Sequence, residues 1–112
     1  MATRFPLYVL IATHERPTLL RRTLESLAEC KQPDTYEATI VVENGSRAGT
    51  QEVVHAFEDT LKTQYLYTPC SNKSHALNYA LQEIPSGLIY FTDDDVRFQP
   101  SVLVSYAKAA NR

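Results

Sequence analysis

The sequence predicts an α/β fold, a parallel sheet with helices packed on both of its faces. Short, continuous runs of aliphatic and β-branched residues alternate with stretches of helical apolar spacing, and turn-forming residues punctuate the junctions. At 112 residues the chain has room for one domain, spanning residues 1–112.

The elements follow in order. Leu7–Ala12 is a continuous apolar run of the kind found in a strand covered on both faces. Pro17 suits the first turn of a helix. Leu20, Leu24 and Leu27 carry its apolar stripe as far as Glu29, with Arg21, Arg22 and Glu25 on other faces. Pro33 ends that helix, and Ala38–Val42 forms a second strand closed by the turn residues Asn44-Gly45-Ser46. Val53, Val54, Phe57 and Leu61 mark one helix starting near Thr50. Gln64–Thr68 reads as a third strand, stopped by Pro69. Lys73–Glu83 is a helix with Asn72 or Ser71 as its N-cap and Ala76, Leu77, Ala80 and Leu81 on its apolar face. After Pro85-Ser86-Gly87, the fourth strand Leu88–Thr92 runs straight into Asp93-Asp94-Asp95. Beyond Pro100, Leu103, Tyr106, Ala107 and Ala110 predict a last helix. Such alternation implies parallel strands joined by right-handed crossovers.

Bulk properties narrow the function. A hydrophobic content of 44% with 21% charged residues is globular rather than disordered. The net charge of −2 gives no electrostatic reason to seek nucleic acid or an anionic membrane. No apolar run approaches the roughly 18–20 residues needed to span a bilayer. The opening MATRFPLYVLIA is followed by no cleavage pattern and reads as a buried strand rather than a secretory signal. Cys30 and Cys70 form neither a disulfide framework nor a CxxC, so a reduced, cytoplasmic chain is expected.

In open parallel sheets ligands bind beyond the carboxyl ends of the strands. Four segments stand there: Thr13-His14-Glu15-Arg16, Glu43-Asn44-Gly45-Ser46, Cys70-Ser71-Asn72-Lys73 and Asp93-Asp94-Asp95. Three of them carry carboxylates, whose mutual repulsion calls for a compensating cation. Hard oxygen ligands point to Mg2+ or Mn2+ rather than zinc. In an extended segment Asp93 and Asp95 project to one side and Asp94 to the other, so the outer pair can hold a metal that also grips a diphosphate. His14, His55 and His75 have no metal spacing and read as surface residues.

The ordered set IATHERPTLLRRTLESL, IVVENGS, NKSHALNYAL and IYFTDDDV is similar to the family 2 glycosyltransferases, from residue 7 to about residue 103. The resemblance implies a Rossmann-like, three-layer half of a GT-A fold with strand order 3-2-1-4. It also implies an enzyme that moves a sugar from a nucleotide-sugar donor, with inversion, to an acceptor glycan, lipid or small molecule. A UDP-sugar is favoured, and a GDP- or dTDP-sugar is compatible. Residue by residue, Thr13 and Glu15 would approach the nucleoside, and Glu43 would accept a hydrogen bond from the base. Lys73 would meet the diphosphate at a helix N-terminus, and Asn78 completes the K-x-x-A-L-N pattern. Asp93 and Asp95 match the D-x-D, with Asp95 the direct metal ligand. Two departures stand out: Ala12 where the family often has Pro, and Glu43 where it usually has Asp.

No catalytic residue is expected within this chain, since the family's general base lies in a later segment, downstream of Arg112. The chain is therefore read as an N-terminal portion, inactive alone, whose fourth strand would lie at a sheet edge open to a homodimer. A non-catalytic module that keeps nucleotide-sugar binding is the alternative. A phosphoacceptor receiver domain wants an acid pair after the first strand and a lone Asp after the third, and this sequence has neither.

Overall fold

The computed structural model describes residues 5–110. Residues 1–4, part of the N-terminal run discussed above, and residues 111–112 lie outside the described range. Its elements are β1 (Leu7–Thr13), α1 (Pro17–Ala28), β2 (Tyr36–Asn44), α2 (Thr50–His55), α3 (Glu58–Leu61), β3 (Thr63–Thr68), α4 (Lys73–Leu81), β4 (Leu88–Thr92) and α5 (Val102–Ala110). The four strands form one sheet in the order β3-β2-β1-β4, and every pairing is parallel.

Two apolar layers cover this sheet, and the alternation of side chains along each strand sorts residues between them. Leu7, Val9 and Ile11 of β1 and Val41 of β2 face the layer containing Leu20, Leu24 and Leu27 of α1, Val53 and Val54 of α2, Leu61, and Leu103 of α5. Leu10 and Ala12 of β1 and Ile40 and Val42 of β2 face Ala76 and Ala80 of α4. Each fully buried Leu or Ile in these layers contributes about 1.5–3 kcal/mol relative to exposure. The central strands thus read as unbroken apolar runs because both faces are covered.

The predicted element order holds, with two local differences. The expected single helix from Thr50 divides into α2 and α3. At the break, Phe57 N–H bonds to Val54 O, a tightened turn in place of the helical step, and partly buried Phe57 packs into the core. The strand β2 reaches Asn44, two residues past the predicted end, which decides which side chains face the site. Asn72 is the N-cap of α4, its side chain accepting from the His75 N–H at 3.0 Å. The Tyr36 hydroxyl bonds to Thr39 within β2 and ties the strand to α3 through the Leu61 carbonyl, and burial pushes it up to about 12.

The edge strand β4 is covered unevenly. On the α1 side Tyr90 packs edge-on against Phe98 and Tyr106, and the Tyr106 hydroxyl donates to Ile89 O at 3.0 Å. Phe91, by alternation on the α4 side, is 52% exposed.

Candidate nucleotide site at the strand ends

The carboxyl ends of β1, β2 and β4 and the N-terminus of α4 surround a cavity of about 330 Å³. It is lined by Ala12, Thr13, His14, Arg16, Asn44, Ser71, Lys73, Asp93, Asp94 and Asp95. Parallel strands bring these loops to one edge because every crossover returns the chain to start again from the opposite edge.

The acidic turn after β4 divides by side. Asp94 is 5% exposed and turned inward. Its carboxylate accepts from the Thr13 hydroxyl at 2.7 Å and from the Arg16 guanidinium at 3.5 Å, and its backbone carbonyl accepts from the Thr23 hydroxyl at 2.7 Å. Asp94 therefore anchors the turn to β1 and α1. Asp93 and Asp95 remain exposed at the cavity. Lys73, the first residue of α4, donates to Asp93 at 2.7 Å, with both side chains 60% exposed. Among the described residues no three His, Cys, Asp or Glu converge as a self-sufficient metal cage. Two exposed carboxylates fit a Mg2+ or Mn2+ that also takes oxygens from a diphosphate and from water, the usual habit of Mg2+.

Glu43 is fully buried and is absent from the cavity lining. Its Oε2 accepts from the Thr50 hydroxyl at 2.5 Å and the Ala48 N–H at 3.3 Å, and its Oε1 accepts from the Tyr65 hydroxyl at 2.6 Å. Burial, followed by the bond to Glu43, raises the Tyr65 hydroxyl well above its ordinary value. The physical reason is parity: Glu43 points to the face covered by α2, with Val41. Asn44, one residue on, shares the α4 face with Val42 and lines the cavity. The Glu43 carboxylate pins the loop from β2 to α2. That loop is covered from outside by Tyr67, whose hydroxyl donates to Gly45 O at 2.5 Å, with the Arg47 guanidinium 4.2 Å from the Tyr67 ring centroid.

The other expected nucleoside residues sit differently. Thr13 lines the cavity, but its hydroxyl is given to Asp94. Glu15 lies outside the lining, with a left-handed backbone at φ 52°. Its carboxylate accepts from the Ser46 hydroxyl at 2.6 Å and lies 3.0 Å from His14 Nε2. His14 Nδ1 is 2.8 Å from the Asn44 carbonyl and 2.7 Å from its side-chain oxygen. Gly45, at φ 91°, is required here twice over: a Cβ would stand 2.5 Å from the His14 ring, and a side chain would strain the backbone. Asn78 is exposed on α4 and away from the cavity lining. His14, Arg16, Asn44, Ser71 and Asp94 all lie in the strand-end segments that the sequence singled out, although none of them was given a binding role there.

Comparison with known proteins bears on the same strand-end arrangement. A curated relative, validoxylamine A glucosyltransferase of Streptomyces hygroscopicus subsp. limoneus, is 39% identical over 62 residues, 54% of this chain and 14% of that protein. Among solved structures, S. aureus TarS 1-349 in complex with UDP-GlcNAc superposes with a TM-score of 0.82 at 21% identity, covering 92% of this chain and 30% of that one. The mannosyltransferase PcManGT from Pyrobaculum calidifontis, in complex with GDP-Man and Mn2+, superposes with a TM-score of 0.78 at 26% identity, over 97% of this chain and 32% of that one. The chain thus spans less than a third of each of these three proteins, and its sheet, of order 3-2-1-4, is that of GT-A glycosyltransferases. The family model described as glycosyl transferase family 2 matches residues 8–112, from the first strand through the last helix, and the chain belongs to that family.

Proposed function

We propose that this chain forms the donor-binding part of a glycosyltransferase, holding a nucleotide-diphosphate sugar whose sugar passes to an acceptor with inversion. The observation that carries the reading is the cavity at the strand ends, where Asp93, Asp95 and Lys73 meet around space for a diphosphate. Asp93 and Asp95 would hold a divalent cation, Mn2+ or Mg2+. That cation supplies charge neutralisation to the departing nucleoside diphosphate. Lys73 adds a second positive charge at a helix N-terminus, where phosphate oxygens are favoured. Asn44, which lines the cavity at the end of β2, would hydrogen-bond a base or ribose. The complexes of similar proteins with UDP-GlcNAc and with GDP-Man and Mn2+ support the ligand class. A UDP-sugar stays the favoured donor.

None of the helices among the described residues is long and apolar enough to cross a membrane. We place the chain in the cytoplasm, where free Cys30 and Cys70 would persist.

Titration calorimetry with UDP and GDP, in Mg2+, in Mn2+ and in chelator, tests the reading. Binding is expected to be tighter with either metal, and equal affinity in chelator would remove the assignment of Asp93 and Asp95.

We also propose that two copies associate through β4. Its outer edge pairs with no strand among the described residues, and Phe91 beside it is exposed. Unpaired strand edges flanked by apolar surface recruit another chain. Light scattering at micromolar concentration is expected to give the mass of a dimer, and Phe91→Lys to give a monomer. A wild-type monomer would show that Tyr106 and α5 protect the edge sufficiently.

A further inference from the structure

Lys73 and Asp93 are joined before any ligand arrives. The Lys73 ammonium donates to Asp93 Oδ1 at 2.7 Å, linking the N-terminus of α4 to the end of β4 between residues 20 positions apart. Both backbones are fixed where the pair forms. Asn72 caps α4 by accepting from the His75 N–H, and Ala76 and Ala80 bury the helix against the sheet. Asp93 directly follows Thr92, which is in register with Ile11 of β1. Helix docking and sheet register therefore set this contact, although both side chains are more than half exposed.

The charges that line the cavity, His14 apart, are three carboxylates and two cations. Both cations are already placed. Arg16 faces the inward Asp94 at 3.5 Å, and Lys73 holds Asp93. Asp95 is exposed and has no hydrogen bond or ion pair among the described residues. A divalent cation entering the free chain thus meets one uncompensated carboxylate rather than two. The other oxygen of Asp93 is open, but a metal bound there would stand beside the ammonium, and two cations at close range repel. One carboxylate with water holds Mg2+ weakly, since sites of this kind draw their remaining oxygens from substrate phosphates. A diphosphate alters the balance. It brings phosphate oxygens to the start of α4, and the flexible stem of Lys73 lets the ammonium turn from Asp93 to them. Asp93 is then free to join Asp95 in holding the metal.

We propose that Lys73 is a placeholder for the metal in the free chain: its ammonium occupies Asp93 until a diphosphate draws it away, so that metal and nucleotide bind as a coupled pair. This rests on the reading of the cavity as a nucleotide site, and adds to it an exchange of partners by one residue. The coupling is reciprocal. Whatever UDP adds to metal affinity, the metal adds to UDP affinity.

The test reads Mn2+ binding without nucleotide, from the electron paramagnetic resonance of the free ion, in wild type, Lys73→Met and Arg16→Gln. Lys73→Met is expected to bind Mn2+ about two- to fivefold more tightly than wild type, the size of an exposed ion pair. Arg16→Gln removes the same unit charge from the same cavity. It is expected to leave Mn2+ affinity nearly unchanged, because its partner Asp94 stays turned inward to Thr13. An equal or larger gain in Arg16→Gln would mean that Lys73 acts only through the general field of the cavity, and the placeholder fails. No gain in Lys73→Met would overturn it as well, even if wild type binds no Mn2+ without nucleotide. A second arm reads the Asp93 carboxyl carbon by NMR in 13C-labelled protein, in chelator. Before UDP, the wild-type resonance is expected to differ from that of Lys73→Met, and saturating UDP to move it to the Lys73→Met position. Coincident resonances before UDP, or a wild-type resonance that bound UDP leaves in place, would sink the exchange. Absence of UDP binding in metal and in chelator would instead count against the nucleotide reading, leaving the Mn2+ comparison to judge the placeholder.

Discussion

Glu43→Ala is expected to lower the melting temperature by about 10 °C, with a loss of roughly 3 kcal/mol of stability. The side chain is fully buried and accepts hydrogen bonds from the Thr50 hydroxyl, the Tyr65 hydroxyl and the Ala48 N–H. Removing the acceptor leaves three donors around a cavity, and each buried donor without a partner costs about 1–3 kcal/mol. The losses do not add fully, because the hydroxyls can turn toward one another or toward entering water. Glu43→Gln keeps the volume and one acceptor oxygen, and its amide can donate to the Thr50 hydroxyl, so a smaller loss of about 1 kcal/mol is expected. Thermal unfolding followed by circular dichroism measures both. The opposite pattern, unchanged melting with a large loss of UDP affinity in the folded protein, would return Glu43 to the base-contacting role that its place in the motif suggests.

A different separation of effects is expected in the acidic turn. Asp95→Ala should abolish the metal dependence of UDP binding, with affinity in Mg2+ or Mn2+ reduced by about 10- to 100-fold, while melting barely moves. The lower figure is what loss of a mere supporting group around a metal costs, so loss of a direct ligand should reach it. Stability is spared because Asp95 is exposed and makes no hydrogen bond that the fold uses. Asp94→Ala provides the contrast. It leaves the Thr13 hydroxyl without its acceptor and unpairs Arg16, while the Thr23 bond to the backbone carbonyl stays, so melting should fall and the metal site should be lost only indirectly. Calorimetry with and without chelator, paired with melting curves for both variants, distinguishes the two residues. If Asp94→Ala removed metal dependence without destabilising the protein, the inward carboxylate would be the ligand.

The family, the element order and the strand-end location of the site were all legible in the sequence. Apolar runs announced β1, β2 and β4 as strands, and Pro17, Pro33, Asn72 and Pro85 marked helix limits by local backbone chemistry that needs no distant partner. The sequence expected Asp94 to part from Asp93 and Asp95 by alternation, but Asp94 and Asp95 lie in a turn beyond β4, and Asp94 is turned inward by its bonds to Thr13 and Arg16. The face that each central strand residue points to was not legible. In β2 residues 38–42 are apolar or small on both faces, so nothing in the pattern says whether Glu43 or Asn44 meets the cavity. Only the docking of α2 on one side and α4 on the other settles that, placing Thr50 and Tyr65 around Glu43 and leaving Asn44 to the site. The same holds for Thr13 with Asp94 and His14 with Asn44, partners 81 and 30 residues apart along the chain. A hydrogen bond across such a distance depends on sheet register and loop closure, and no local preference of the residues that make it encodes either one.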